Sequence, residues 1–195
     1  MNTQNYVIRP LSDEQILSIY SETAPLHFPA DELRPLSNIR DLLRRGGYQG
    51  LGIFGGDPNT LMGYALFLKV PGEDTLLLDF YAILEEYRSL GLGSVFLQGM
   101  KEHYAGYAGI LLETEDPESA ADEADLLIRT RRNAFYYKNG VRQTGLSCTL
   151  FGVPFRILYL PLARDHSSDD ASLREKLEAI YRFMVPGKDG FYFIK

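Results

Sequence analysis

Between an apolar run and an amphipathic one the chain carries Tyr87-Arg88-Ser89-Leu90-Gly91-Leu92-Gly93-Ser94, and no other segment constrains the fold as much. The residues before it, Leu76-Leu77-Leu78-Asp79-Phe80-Tyr81-Ala82-Ile83, are too few and too aromatic for a helix and read as a buried strand. After it Val95, Phe96, Met100 and His103 recur at helical spacing, with Leu92 one turn ahead. A strand entering a helix through Arg-x-x-Gly-x-Gly presents backbone N–H groups at the positive helix end, where a phosphate or pyrophosphate binds. Gly91 and Gly93 open backbone angles closed to other residues and carry no Cβ to fend off a ligand. Arg88 adds a permanent cation. The plainer alternative is an ordinary strand-to-helix turn with a surface arginine.

The rest of the chain alternates strands and helices. Tyr6 to Pro10 reads as a first strand, and Ser12-Asp13-Glu14-Gln15 has the spacing of a capping box opening a helix. A second helix is expected from about Asp31 to Arg45, stopped by Gly46-Gly47. Tyr48 to Phe54 and Leu61 to Val70 form a hairpin around Gly55-Gly56-Asp57-Pro58-Asn59. Beyond the glycine segment come a strand from Ala108 to Thr114, a helix from Asp122 to Lys138, and strands near Arg142 to Leu150 and Phe155 to Leu162. Gly50-Leu51-Gly52-Ile53-Phe54-Gly55 matches a dinucleotide fingerprint by letter. That mechanism needs a strand before the glycines and a helix at the third, whereas these glycines lie inside a strand followed by a turn.

The tail is a separate feature. Ser167-Ser168-Asp169-Asp170 starts a helix, Leu173, Leu177, Ile180, Tyr181 and Met184 form its apolar stripe, and Pro186-Gly187 ends it. Phe191 to Ile194 is a short strand-like segment. The organisation is therefore a main domain over 1–163 and a helix and strand over 164–195, packed on that domain or on a second subunit of a homodimer, with a lid over the acceptor site as the functional alternative.

A net charge of −6 argues against a nucleic-acid partner, and no apolar run reaches membrane-spanning length. The amino terminus lacks a signal-sequence pattern and the lone Cys148 excludes an internal disulfide framework, so a cytoplasmic protein is expected. His27, His103 and His166 show no metal-ligand spacing with Cys148, and no metal is expected.

The stretch from Ala82 to Gly93 resembles the acetyl-CoA signature of the GNAT N-acetyltransferase superfamily, a strand followed by Arg/Gln-x-x-Gly-x-Gly/Ala. Phe135-Tyr136-Tyr137-Lys138-Asn139-Gly140-Val141 is similar to the Leu-Tyr-x-x-x-Gly-Phe segment ending that family's fourth main helix, with Val141 replacing the usual aromatic. Tyr6-Val7-Ile8-Arg9-Pro10-Leu11 resembles its first strand. The resemblance implies an α+β fold, a mostly antiparallel twisted sheet of about seven strands flanked by helices. It implies acetyl-CoA as co-substrate and transfer of its acetyl group to a primary amine, of a small molecule or a peptide, by direct attack in a ternary complex. The backbone of Ala82 and Ile83 would pair with the pantetheine arm. The N–H groups of Ser89, Leu90, Gly91, Leu92, Gly93 and Ser94, with Arg88, would hold the pyrophosphate.

Acetyl transfer from a thioester needs a neutral amine, a polarised carbonyl and a proton for the departing thiolate. Tyr136 stands where the resemblance places the acid that protonates the CoA sulfur. Tyr137, about 100° further round a helix, is its competitor, and both cannot face one cleft. Two carboxylates are candidates for the general base, Asp79 on the signature strand and Glu113 near the end of the next. The acidic run Glu113-Thr114-Glu115-Asp116 would favour a cationic amine. Arg129, Arg131 and Arg132 read as a solvated face, and Cys148 as an inert structural thiol. The alternative to an enzyme is a non-catalytic acyl-CoA-binding or sensory domain.

Overall fold

The computed structural model describes residues 6–195 apart from Asp31, Asp57, Pro58, Phe151, residues 163–168 and Asp189. Asp31 at the expected helix start, the Asp57-Pro58 turn, His166 and the Ser167-Ser168 cap thus lie outside the described residues. The fold class is α+β, with five α-helices and eight mostly antiparallel strands among the described residues. Two compact units divide the chain, Met1–Pro71 with Leu78–His103, and Gly72–Leu77 with Tyr104–Lys195. The C-terminal helix and strand belong to the second unit.

In the first unit β1 (Val7–Pro10) pairs antiparallel with β2 (Tyr48–Phe54), and β2 with β3 (Leu61–Lys69). Ser12 caps α1 (Asp13–Ser18) through the capping box that its spacing predicts, accepting from the Gln15 N–H while Gln15 returns the bond. The chain then winds more widely as a π-helical stretch, Ile19–Thr23. α2 (Leu36–Arg44) starts later than expected because Pro35 restrains Arg34 from helical angles. It ends as predicted, with Gly46 at φ 67°. The fingerprint-like glycines of β2 are packing devices: a Cβ on Gly50 would lie 2.9 Å from Leu66 and one on Gly52 would lie 2.6 Å from Phe54.

β4 (Thr75–Ile83), which belongs to this unit from Leu78 on, leads to α3 (Leu92–His103). Leu92, Phe96, Leu97 and Met100 form the buried face of α3. Val95, 43% exposed, and His103 face outward, so the apolar stripe is rotated from the one expected, with Leu97 on it. Gly99 lets the helix lie directly on β1, since a Cβ there would come within 2.1 Å of Ile8 Cδ1.

In the second unit β5 (Gly109–Glu115), β7 (Val153–Pro161), β6 (Arg142–Leu150) and β8 (Tyr192–Ile194) follow one another antiparallel in that order. β8 is the strand beyond the expected seven. Asp122 caps α4 (Glu123–Lys138), and Asp169 caps α5 (Asp170–Met184). The whole predicted stripe of α5, Leu173, Leu177, Ile180, Tyr181 and Met184, is buried. Each such side chain contributes about 1.5–3 kcal/mol by leaving water. Arg174 of α5 donates to the Ile194 carbonyl at 2.7 Å, tying the helix to β8.

Candidate functional site

In the first unit the end of β4 runs through a short 3-10 turn, Glu85–Tyr87, and an extended Arg88 into two left-handed residues. Ser89 at φ 65° is the lone positive-φ non-glycine among the described residues, and Gly91 follows at φ 78°. A residue other than glycine, asparagine or aspartate in that region is uncommon, and such strain gathers at ligand clamps. A Cβ on Gly91 would meet nothing within 4 Å, so its backbone angle, not crowding within the protein, requires glycine there. The Tyr81 hydroxyl donates to the Gly93 carbonyl at 2.7 Å, which pins the start of α3 to β4. Arg88 Nε donates to the Ile83 carbonyl at 3.1 Å, folding the cation back over the strand end. From Arg88 to Gly91 the chain is exposed, and Ala82 is buried while Ile83 is half-buried.

Asp79, also on β4, is fully engaged. Arg34 grips it with both terminal nitrogens, Nη1 to Oδ1 at 2.8 Å and Nη2 to Oδ2, and the Tyr48 hydroxyl donates to Oδ2 as well. The side chains of Arg34 and Asp79 are only 9% and 5% exposed. Tyr20 donates to the Arg34 carbonyl at 2.9 Å, and Arg34 Nε donates to Asn38 at 3.1 Å. Burial holds the Tyr48 phenol well above its ordinary value, and the Asp79 charge adds to that. A guanidinium fork and a phenol together occupy both oxygens of this carboxylate. Asp79, one of the two candidates for the base, thereby anchors the loop before α2 to β4.

His27 escaped the sequence reading as anything but a scattered histidine. Its Nδ1 lies 3.0 Å from the Tyr64 hydroxyl, with the rings stacked 5.9 Å apart. Burial lowers its pKa, and the nearby Arg88 charge lowers it further, opposed by Glu85 and Glu86.

In the second unit α4 separates the two candidate tyrosines. Tyr136 is buried at 9% exposure, its ring edge-on to Phe135, whereas Tyr137 is 39% exposed and donates to Gln143 at 3.0 Å. Burial pushes the Tyr136 phenol up to about 12, partly offset by the Arg132 charge. Asn133, one turn before Tyr136, is buried with its Oδ1 unpartnered, and Thr114 Oγ1 on β5 is likewise buried and unpartnered. Buried polar atoms left in this state are where a bound molecule's own donors are most useful.

Glu113 on β5 is half-buried and accepts a short hydrogen bond from the Tyr181 hydroxyl of α5. The same hydroxyl lies 3.1 Å from Cys148 Sγ on β6. Cys148 is pushed up to about 12, first by burial and then by the Glu113 charge, which fits an unreactive thiol. The neighbouring acidic run is neutralised by arginines. Glu115 pairs with Arg129 and Arg132, both at 3.0 Å, while Arg156 pairs with Asp116 at 2.7 Å and Glu118 at 2.8 Å. These pairs offset the charge expected to draw a cationic amine, and of the three arginines read as a solvated face Arg131 and Arg132 are exposed whereas Arg129 is not. Arg129 is also bound to Asp125 and the Asp116 carbonyl, and its side chain is 12% exposed. Tyr181 stood in the sequence only as part of an apolar stripe; the signal was its hydroxyl, which must find a partner when buried. No group of three or more histidine, cysteine or acidic residues suited to a metal occurs among the described residues. No described helix is long and apolar enough to cross a membrane.

The family model for the acetyltransferase (GNAT) family matches residues 14–124, more than half of the chain. No curated protein matches by sequence. Among solved structures, a protein assigned to the GNAT acetyltransferases from Bacteroides thetaiotaomicron is similar over 92% of this chain and 99% of its own, with a TM-score of 0.70 and 22% identity. The ribosomal-protein-S18-alanine N-acetyltransferase of Escherichia coli is similar over 84% and 98%, with a TM-score of 0.59 and 16% identity. Spermidine N-acetyltransferase from Vibrio cholerae, solved with CoA and spermine, is similar over 83% and 97%, with a TM-score of 0.57 and 11% identity. At these identities the likeness is one of fold.

Proposed function

The chain belongs to the acetyltransferase (GNAT) family, and from that premise we propose that it moves an acetyl group from acetyl-CoA to a primary amine by direct attack in a ternary complex. The observation that carries the reading is the exposed loop from Arg88 to Gly91, whose left-handed Ser89 and Gly91 turn the backbone into the start of α3. The N–H groups from Ser89 to Ser94 and the Arg88 cation bind the pyrophosphate there, and Ala82 and Ile83 offer backbone to the pantetheine arm.

The amine nitrogen attacks the acetyl carbonyl carbon, a C–N bond forms, and the C–S bond breaks with its electron pair leaving on sulfur. The surplus amine proton goes to Glu113, and the thiolate takes the phenolic proton of Tyr136. An amide and free CoA result, after which solvent removes the proton from Glu113 and restores the one on Tyr136. A phenol pushed up to about 12 holds its proton throughout the neutral range. Glu113 is favoured over Asp79 because a neutral phenol holds it where an arginine fork holds Asp79. A cytoplasmic location, no nucleic-acid or membrane partner, and a small-molecule or peptide acceptor belong to the same reading, with a homodimer open.

The test is binding followed by turnover. Acetyl-CoA at a hundred times its dissociation constant stabilises the fold by about 2.7 kcal/mol, read as a thermal shift. Thiol release is then measured with spermidine, an alanine-led peptide and simple primary amines. No thermal shift with either acetyl-CoA or CoA would overturn the cofactor assignment. Tight binding with no transfer to any amine would leave the sensory domain instead.

A further inference from the structure

Tyr181 is the residue for which the proposed reaction has no use, although it is fully buried and its hydroxyl touches the proposed base. It sits on α5, an element that the sequence sets apart as a tail. The apolar stripe of α5 alone would be served by phenylalanine at this position. A hydroxyl placed in the core needs partners, and here these are titratable groups, the carboxylate of Glu113 and the thiol of Cys148.

The protons fix the direction of this chain. Tyr181 has one hydroxyl proton, and an ionised Glu113 can only accept, so that proton lies toward Glu113. The Cys148–Tyr181 contact is then made by the Cys148 S–H donating to the phenol oxygen. Each bond polarises the next, so the thiol strengthens the phenol as a donor. The acidic residues that follow Glu113 carry ion pairs of their own. Arg129 and Arg132 of α4 pair with Glu115, and Arg156 of β7 pairs with Asp116 and Glu118. Glu113 itself is touched by Tyr181 from α5, and its charge also acts on Cys148 of β6.

We propose that Tyr181 is a positioning residue for the general base: with Cys148 behind it, it orients the Glu113 carboxylate and sets the pH at which that carboxylate becomes competent. The C-terminal helix is thereby part of the catalytic apparatus. This rests on Glu113 being the base, as proposed above.

Two substitutions move the base in opposite directions. Tyr181→Phe keeps the ring and removes the donor to the ionised carboxylate, so Glu113 titrates higher. Its acid limb in the pH profile of kcat/KM moves up by roughly one pH unit. Cys148→Ser puts a stronger donor behind Tyr181 and moves that limb down by a few tenths of a unit. Both are read in full-length protein with acetyl-CoA and whichever amine of the panel turns over fastest. Carbon-13 NMR of carboxyl-labelled glutamate, assigned through Glu113→Gln, follows the same titration without any acceptor. Thermal melts check that each variant is folded, and Cys148→Ser carries the test alone should Tyr181→Phe fail to fold.

Opposed shifts in both readouts, with KM for acetyl-CoA within twofold of wild type, are the expected result. An NMR titration of Glu113 unmoved in the folded variants would overturn the positioning role whatever the kinetics do. A titration that moves as expected while Glu113→Gln keeps full turnover would overturn Glu113 as the base, and the catalytic meaning of Tyr181 with it.

Discussion

Asp79 and Glu113 were equal candidates by sequence, each a carboxylate on a buried strand, yet the two are held by opposite chemistry. Asp79 faces a buried guanidinium that grips both its oxygens, and Tyr48 adds a third donor. Glu113 faces a phenol whose second contact is a thiol. A guanidinium fork ties a carboxylate to a buried counter-charge, whereas a phenol orients it through a neutral hydrogen bond. The first arrangement suits architecture and the second suits proton transfer.

The largest effect that separates them is on stability. Asp79→Asn leaves Arg34 buried without its counter-charge, and losing one partner of such a pair costs about 3–5 kcal/mol. Denaturant unfolding of this variant should show most of that loss. Glu113→Gln keeps an acceptor for the Tyr181 hydroxyl and should unfold within about 1 kcal/mol of wild type, while turnover falls on the order of 10²-fold. A stable but inactive Asp79→Asn variant that still binds acetyl-CoA would reverse the two assignments.

The two tyrosines of α4 extend the contrast between buried and exposed donors. Tyr136→Phe should lower turnover on the order of 10²-fold while leaving folding and cofactor affinity intact. Tyr137→Phe, which loses an exposed bond to Gln143, should change little. Equal turnover of Tyr136→Phe and wild type would move the acid role to Tyr137 or to solvent. At the loop, Gly91→Ala forces a Cβ into the left-handed region at a cost of roughly 1–2 kcal/mol, and cofactor affinity should fall with it.

These residues also mark what the sequence discloses. The capping box at Ser12, the helix stop at Gly46, the strand-to-helix turn at Gly91 and the α5 stripe are local patterns, and local patterns are what a sequence prints. Arg34 and Asp79 stand 45 positions apart, and Glu113 and Tyr181 stand 68 apart. Nothing in either neighbourhood announces the partner. The same distance hid the arginines that cancel the acidic run after Glu113. The rotation of α3 was missed differently: valine and leucine look alike in a periodicity, and only the neighbours of the helix decide that Leu97 is covered and Val95 is not.

Alkaline stability also tells the two sites apart. Cys148 and Tyr181 in the second unit, and Tyr48 in the first, are all raised in the folded protein, mainly by burial. A raised value means that the fold favours the protonated form. Its contribution is complete below the unfolded value and is lost as pH climbs toward the folded one. For Cys148 the unfolded value is 9.0 and the folded one about 12, so its loss begins near pH 9. It reaches about 1.4 kcal/mol by pH 10. The phenols of Tyr48 and Tyr181 start from 10.0, so they add to the loss only above that pH. Urea unfolding at intervals between pH 8 and 11 reads both windows. Cys148→Ala should flatten the slope between pH 9 and 10 and leave the steeper part above it. Tyr48→Phe should do the reverse, keeping the early slope and softening the later one. An early slope that survives Cys148→Ala would mean that the thiol behind Tyr181 ionises freely, and that the Glu113 chain is looser than its contacts imply.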